Sequence, residues 1–181
     1  MRKIVAWLFM SLDGVTDSPE KWVMFNEELG EAVDAEAAAA DTLLLGARTY
    51  ELFAAAWPQR TVEDDPHADW MNNTPKLVAS STRQSVEWHN STLIKGNVAN
   101  ELARVKQEPG KNLLINGSPT LVRSLLRADL LDELRLFVHP VVVDRGRRLF
   151  ENVGGQVSLT LSDSQAYSTG VVSLTYKPAA R

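Results

Sequence analysis

Short apolar blocks recur along the chain: IVAWLFM from Ile4, TLLLG from Thr42, KLVAS from Lys76, TLIKG from Thr92 and LLING from Leu113. Each is a near-continuous run and not an alternating one, the pattern of a strand covered on both faces. Most are followed by a helical pattern. Residues 26–40 (NEELGEAVDAEAAAA) place acidic side chains in a first turn and alanine through the body, which predicts a helix. Residues 47–55 and 97–106 predict shorter ones. Strands alternating with helices imply a largely parallel sheet joined by right-handed crossovers.

The C-terminal third has another rhythm. Residues 133–143 (ELRLFVHPVVV) begin with alternation at Leu134, Leu136 and Val138. Residues 157–161 (VSLTL) and 171–176 (VVSLTY) follow, joined by a polar loop containing Gly170. No helical pattern separates these last two, so they are expected to pair antiparallel. The predicted fold class is α/β: a mostly parallel mixed sheet with an antiparallel C-terminal hairpin. It forms one domain over residues 1–177, followed by a tail at 178–181. Residues 56–75, with Pro58, Pro66 and Pro75, are the longest irregular stretch.

Composition changes this picture little but excludes several functions. The 181 residues suffice for one core, and 44% hydrophobic with 23% charged residues is ordinary globular usage. A formal charge of −4 gives no electrostatic footing for nucleic acid. The absence of cysteine removes disulfides, thiol nucleophiles and thiolate metal sites. Arg2 and Lys3 ahead of an apolar run resemble a signal peptide, but Ser-Leu-Asp-Gly follows without a small-residue cleavage site, and a buried first strand is the better reading. No run is long enough to span a membrane. A cytoplasmic protein is expected.

The candidate chemistry lies at strand ends. Residues 113–126 read LLINGSPTLVRSLL. Asn-Gly between hydrophobics is a hairpin cue, yet Ser118 can cap a helix, and Pro119 suits a first helical position. Leu121, Val122, Leu125 and Leu126 then fall at helical spacing. The segment therefore reads as strand, glycine turn and capped helix, a joint that aims unpaired amides at an anion such as phosphate. Gly117 would let a ligand approach the backbone closely. Such joints also occur in α/β proteins that bind nothing, but two others accompany this one. Gly46 is followed by Arg48 and Thr49 at the next helix start, and KLVA is followed by Ser80, Ser81, Thr82 and Arg83. Three polar joints at the carboxyl ends of parallel strands could grip one dinucleotide, with Arg48 and Arg83 receiving a 2′-phosphate and favouring NADP over NAD. Taken singly, each arginine also reads as a surface ion pair.

Ser11-Leu12-Asp13-Gly14, LLLGARTYE from Leu43, the SSTR stretch, LLINGS and LLDELRLFVHPVVVDRGRRLF from Leu130 occur in the order seen in the dihydrofolate-reductase-like family. The chain most resembles the reductase domain of the bifunctional riboflavin-biosynthesis deaminase-reductase and its stand-alone relatives. That resemblance implies a three-layer dihydrofolate-reductase-like fold and NADPH as cofactor. The coenzyme would lie against Gly46, Arg48 and Thr49, with its adenosine side at Ser80, Ser81, Thr82 and Arg83. Its pyrophosphate would run over Gly117, Ser118, Thr120 and Leu121. The substrate would lie over Leu12, Asp13 and Gly14. Implied too are a reductase of the 5-amino-6-(5-phosphoribosylamino)uracil type, or of a related pterin or pyrimidine, and a homodimer. The family often has consecutive glycines where this chain has Asn116-Gly117-Ser118, and only Gly146 remains of a glycine pair in Val143-Asp144-Arg145-Gly146. A deaminase half, whose zinc site needs cysteines, is not expected in this cysteine-free sequence.

For hydride transfer to a C=N or C=O carbon, Asp13 is the expected catalytic carboxylate, as anchor or proton path, although Asp-Gly after a strand is also an ordinary turn. His67, His89 and His139 lack metal-ligand spacing, so no metal is expected, and His139 reads as a satisfied core histidine. No Gly-x-Ser-x-Gly elbow supports a hydrolase. Trp22 and Trp57 are candidates to line a pocket for a flat ring. Arg145, Arg147 and Arg148 read as a solvated basic loop. The competing function is a non-catalytic NADP-binding sensor or partner protein on the same fold.

Overall fold

Burial of the apolar blocks on both faces decides the architecture. In the computed structural model, which describes residues 1–179, β1 (Ile4–Ser11) runs through the middle of the sheet. It pairs in parallel with β5 (Asn112–Asn116) on one side and β6 (Glu133–His139) on the other. Beyond β5 lie β2 (Ala40–Gly46), β3 (Lys76–Ala79) and β4 (Ser91–Leu93), all parallel. Beyond β6 lie β8 (Val172–Pro178) and β7 (Leu159–Ala166), both antiparallel to their neighbours. The order is β4-β3-β2-β5-β1-β6-β8-β7. The helices are α1 (Glu27–Ala38), α2 (Ala47–Ala56), α3 (Ala68–Asn73), α4 (Val98–Val105) and α5 (Pro119–Arg127).

Alternate residues of the central strands feed two cores, as strand geometry requires. Ile4, Ala6, Leu8, Leu113 and Ile115 pack with Leu102 and Val105 of α4 and Val122 and Leu125 of α5. Val5, Trp7, Leu43, Leu45 and Leu114 pack with Leu29 and Val33 of α1 and Tyr50 of α2. The result is three layers. Asn26 caps α1, its side chain accepting from the Leu29 amide at 3.0 Å. Among the described residues, no helix is long and apolar enough to cross a membrane.

Three boundaries differ from the sequence pattern. β6 ends at His139 because Pro140 has no amide to donate. β7 runs on to Ala166 through residues expected as loop; it is exposed along almost its whole length, so pairing with β8, and not burial, makes it a strand. Pro178 pairs with Leu159 inside β8, so the expected tail at 178–181 begins within a strand, and its last two residues lie outside those described. The irregular stretch at 56–75 contains α3.

A polar latch holds the turn after β1 to the loop after β6. The Asp13 carboxylate accepts from the Ser11 hydroxyl at 2.7 Å, the Val143 and Asp144 amides at 3.0 and 2.9 Å, and Arg148 at 3.3 Å. Backbone bonds from Thr16 to Arg147 and from Leu149 to Gly14 extend it. At the base of β3, the fully buried Lys76 donates to the carbonyls of Asn72, Thr74 and His89 and lies 4.2 Å over the Trp88 ring.

Both features titrate. The Ser11 hydroxyl, followed by the Val143 amide, holds Asp13 below its usual 3.8, so its contribution is present above that value and fades as pH falls through the lower folded one. In thermal denaturation followed by circular dichroism, Asp13→Asn is expected to melt earlier at neutral pH, and its gap from wild type to close as pH drops below 3.8. Burial pushes Lys76 down to about 8 from 10.5. Between those values the unfolded chain binds more protons, so stability rises with pH. Denaturant titrations should show wild type gaining on Lys76→Met across that window.

Candidate functional site

The three glycine and hydroxyl joints meet. Because β1, β2, β3 and β5 are parallel, their carboxyl ends share one edge of the sheet, and a cleft of about 740 Å³ opens there. Gly46, Arg48 and Thr49 line it from the β2–α2 joint. Ser80, Ser81 and Thr82 line it from the end of β3, and Gly117, Ser118, Thr120 and Leu121 from the β5–α5 joint. Leu8 and Phe9 of β1 contribute apolar surface, and residues 16–19 with Arg147 close another wall.

One hydrogen bond joins two of the three corners. The Gly46 amide donates to the Ser118 hydroxyl at 2.9 Å. A Cβ on Gly46 would stand 3.3 Å from that oxygen, tighter than ordinary contact, so glycine permits the approach. Ser118 was expected to cap α5; instead it adopts a left-handed conformation (φ 55) and makes no cap hydrogen bond. Its hydroxyl serves α2 because Gly117, also left-handed at φ 83, turns the chain so that Ser118 is buried against the neighbouring joint. α2 and α5 therefore both begin at the cleft, with first-turn amides free of intrahelical partners and the positive ends of their dipoles toward it. Arg48 adds a guanidinium and Thr49 a hydroxyl to the same wall.

Arg83 departs from expectation. It does not line this cleft; its guanidinium pairs with Glu51 at 2.7 Å and lies 5.1 Å from the centre of the Tyr50 ring. It belongs to a second depression across α2, lined also by Asn72, Ser85 and Trp88. Glu51 and Tyr50 stand on the face of α2 turned from the first cleft, and their charge and ring draw the arginine with them. The surface ion-pair reading holds for Arg83.

The expected substrate residues Leu12, Asp13 and Gly14 do not line the cleft either. Leu12 is exposed and its amide donates to Val141. Asp13 is taken up by the latch, where its four donors leave its oxygens little capacity for a ligand. Four residues later, Asp17 does line the cleft, with Arg147 beside it. The basic loop is thus divided: Arg145 is exposed, Arg147 faces the cleft and Arg148 serves the latch.

Neither Trp22 nor Trp57 lines the cleft. Trp22 meets the His139 ring edge-on, its indole N–H donating to the Asp17 carbonyl at 2.9 Å, and Trp57 lies under Arg60. His139 is fully buried and burial lowers its pKa. Its Nδ1 accepts from the Met24 amide at 3.4 Å, while Nε2 has no partner among the described residues, so this core histidine is only half satisfied. Sequence reasoning missed Leu8, Phe9, Thr16, Asp17, Ser18, Pro19 and Arg147, together with Val98, Ala99, Ser124, Leu125 and Ala128 from α4 and α5 and the turn beyond. In the sequence only the Ser18-Pro19 dipeptide marks a turn there; in the structure Ser18 is left-handed.

Comparison with known proteins places this geometry. The Bacillus subtilis (strain 168) protein YyaP is 27% identical over 180 residues, covering 97% of this chain and 94% of its own. A crystal structure of a putative riboflavin biosynthesis protein from Shewanella sp. PV-4 superposes with a TM-score of 0.78 at 20% identity, covering 98% of this chain and 99% of that one. Dihydrofolate reductase from Enterococcus faecalis, complexed with NADP(H), superposes at 0.60 with 16% identity, covering 98% and 97%. The fold is dihydrofolate-reductase-like. A family model, the RibD C-terminal domain, matches residues 2–173, and the chain belongs to that family.

Proposed function

We propose that the cleft binds NADPH and that the protein is a reductase delivering hydride to a C=N or C=O carbon of a small pyrimidine- or pterin-like ring. The 5-amino-6-(5-phosphoribosylamino)uracil reductases are a model for that chemistry. The observation that carries this reading is the meeting of three polar strand-end joints in one cleft, two of them at helix N-termini. Family membership supports an oxidoreductase.

The residues present fit such a coenzyme. Left-handed Gly117 leaves backbone open beside the amides of α5, a cradle for pyrophosphate. Arg48 and Thr49, with the hydroxyls of Ser81 and Thr82, fit a ribose 2′-phosphate. Leu8 and Phe9 give a flat ring an apolar bed that excludes water. When bound, the coenzyme supplies the hydride; the chain orients it and holds the acceptor against it.

Quenching of tryptophan fluorescence should report saturable NADPH binding, and no response at millimolar NADPH would defeat the proposal. Arg48→Ala should weaken NADPH by about tenfold or more while changing NADH little, the loss expected for one charge-assisted contact to the 2′-phosphate. Arg83→Ala, acting only through the Glu51 side of α2, should affect both coenzymes alike. Equal losses for Arg48→Ala would refute the 2′-phosphate assignment.

A further inference from the structure

Arg123 and Arg127 stand about one turn apart on α5, and both hold the loop after β6 to that helix. Arg127 gives its N–H groups to backbone alone, to the carbonyl of Val153 at 2.8 Å and to that of Asn152. Arg123 also reaches backbone, donating through Nη1 to the carbonyls of Arg148 and Leu149 at 3.0 and 3.2 Å. Its other terminal nitrogen has a different partner. Nη2 donates to the Thr120 hydroxyl at 3.2 Å, back along the same helix face. Thr120 lines the cleft, and Arg123 does not.

The guanidinium is fixed from behind. Its side chain is 12% exposed, and Glu151, at 3.8 Å, is too distant for a hydrogen bond. The backbone it grips is held in turn: the Leu149 amide donates to the Gly14 carbonyl, and Arg148 donates through Nε to the Asp13 carbonyl at 2.9 Å. Arginine has donors and no acceptor, so Nη2 can only occupy a lone pair of the Thr120 oxygen. The hydroxyl hydrogen is then left for another partner, and no acceptor among the described residues takes it. Donation from a cation also polarises the O–H bond and strengthens it as a donor. Thr120 thus offers the cleft a donor beside the free first-turn amides of α5.

We infer that Arg123 is a positioning residue: it commits the Thr120 hydroxyl to donate to an anionic oxygen in the cleft. On the coenzyme reading above, on which this inference rests, that oxygen belongs to the pyrophosphate. The test is a double-mutant cycle on the full chain, with Thr120→Val, Arg123→Met and both together. NADPH and NADH affinities are read by tryptophan quenching, and folding by circular-dichroism melting. Thr120→Val should weaken both coenzymes alike, by about tenfold, since both carry the pyrophosphate. Arg123→Met should cost about threefold or more alone and nothing further in the Thr120→Val background. Arg127→Met releases the same loop without touching Thr120 and should leave both affinities as they are. Losses that multiply in the double variant, or an equal loss in Arg127→Met, assign the effect to charge or to the loop and overturn the inference. Unaltered binding by Thr120→Val overturns it without any change at Arg123. Should Arg123→Met not fold, Arg123→Gln runs the same cycle. Wild type silent to NADPH removes the coenzyme reading itself; wild type that binds while the cycle shows no coupling loses only the role of Arg123.

Discussion

The hydrogen bond from the Gly46 amide to the Ser118 hydroxyl is the constraint on which the site depends. It ties the start of α2 to the turn before α5 across neighbouring parallel strands, so two helix N-termini address one volume. Each partner needs the other's departure from ordinary geometry. A Cβ on Gly46 would crowd the hydroxyl at 3.3 Å, and Ser118 adopts the left-handed conformation that brings its oxygen there. A left-handed non-glycine residue has an energetic cost, and such strain persists only where its surroundings over-determine it. Here the buried hydroxyl and the amide it receives supply that determination.

Two aspartates four residues apart show how environment divides similar groups. Asp13 turns into the junction between loops, where a hydroxyl, two amides and a guanidinium saturate it. Asp17 turns into the cleft with one loosely held partner. The first fastens the wall on which the second stands. A carboxylate surrounded by donors stays ionised and structural, whereas one with a single loose partner keeps unfilled acceptor sites.

Much of the fold was legible because burial writes itself into composition. The five N-terminal apolar runs are the five parallel strands preceding β6, and their near-continuous character reflects helices on both faces. The three polar strand-end joints were legible for a related reason: glycine, hydroxyl and proline at a strand end have local backbone consequences that need no distant partner. β7 was misjudged because its polar residues form a strand only through the ladder with β8.

Local chemistry in the chain thus determined an α/β fold with an antiparallel edge and ten of the eleven expected coenzyme-side residues that line the cleft. Tertiary structure alone decided the direction of the side chains whose partners lie far away in sequence. Arg83 turns away because Glu51 and Tyr50 are on the far side of α2. Asp13 is withdrawn because the amides of Val143 and Asp144 arrive from 130 and 131 residues later, and Asp17 faces the cleft because Arg147, also 130 residues distant, meets it there. A charged group is oriented by the nearest complementary charge or donor, and chain folding, not neighbouring sequence, sets which one that is.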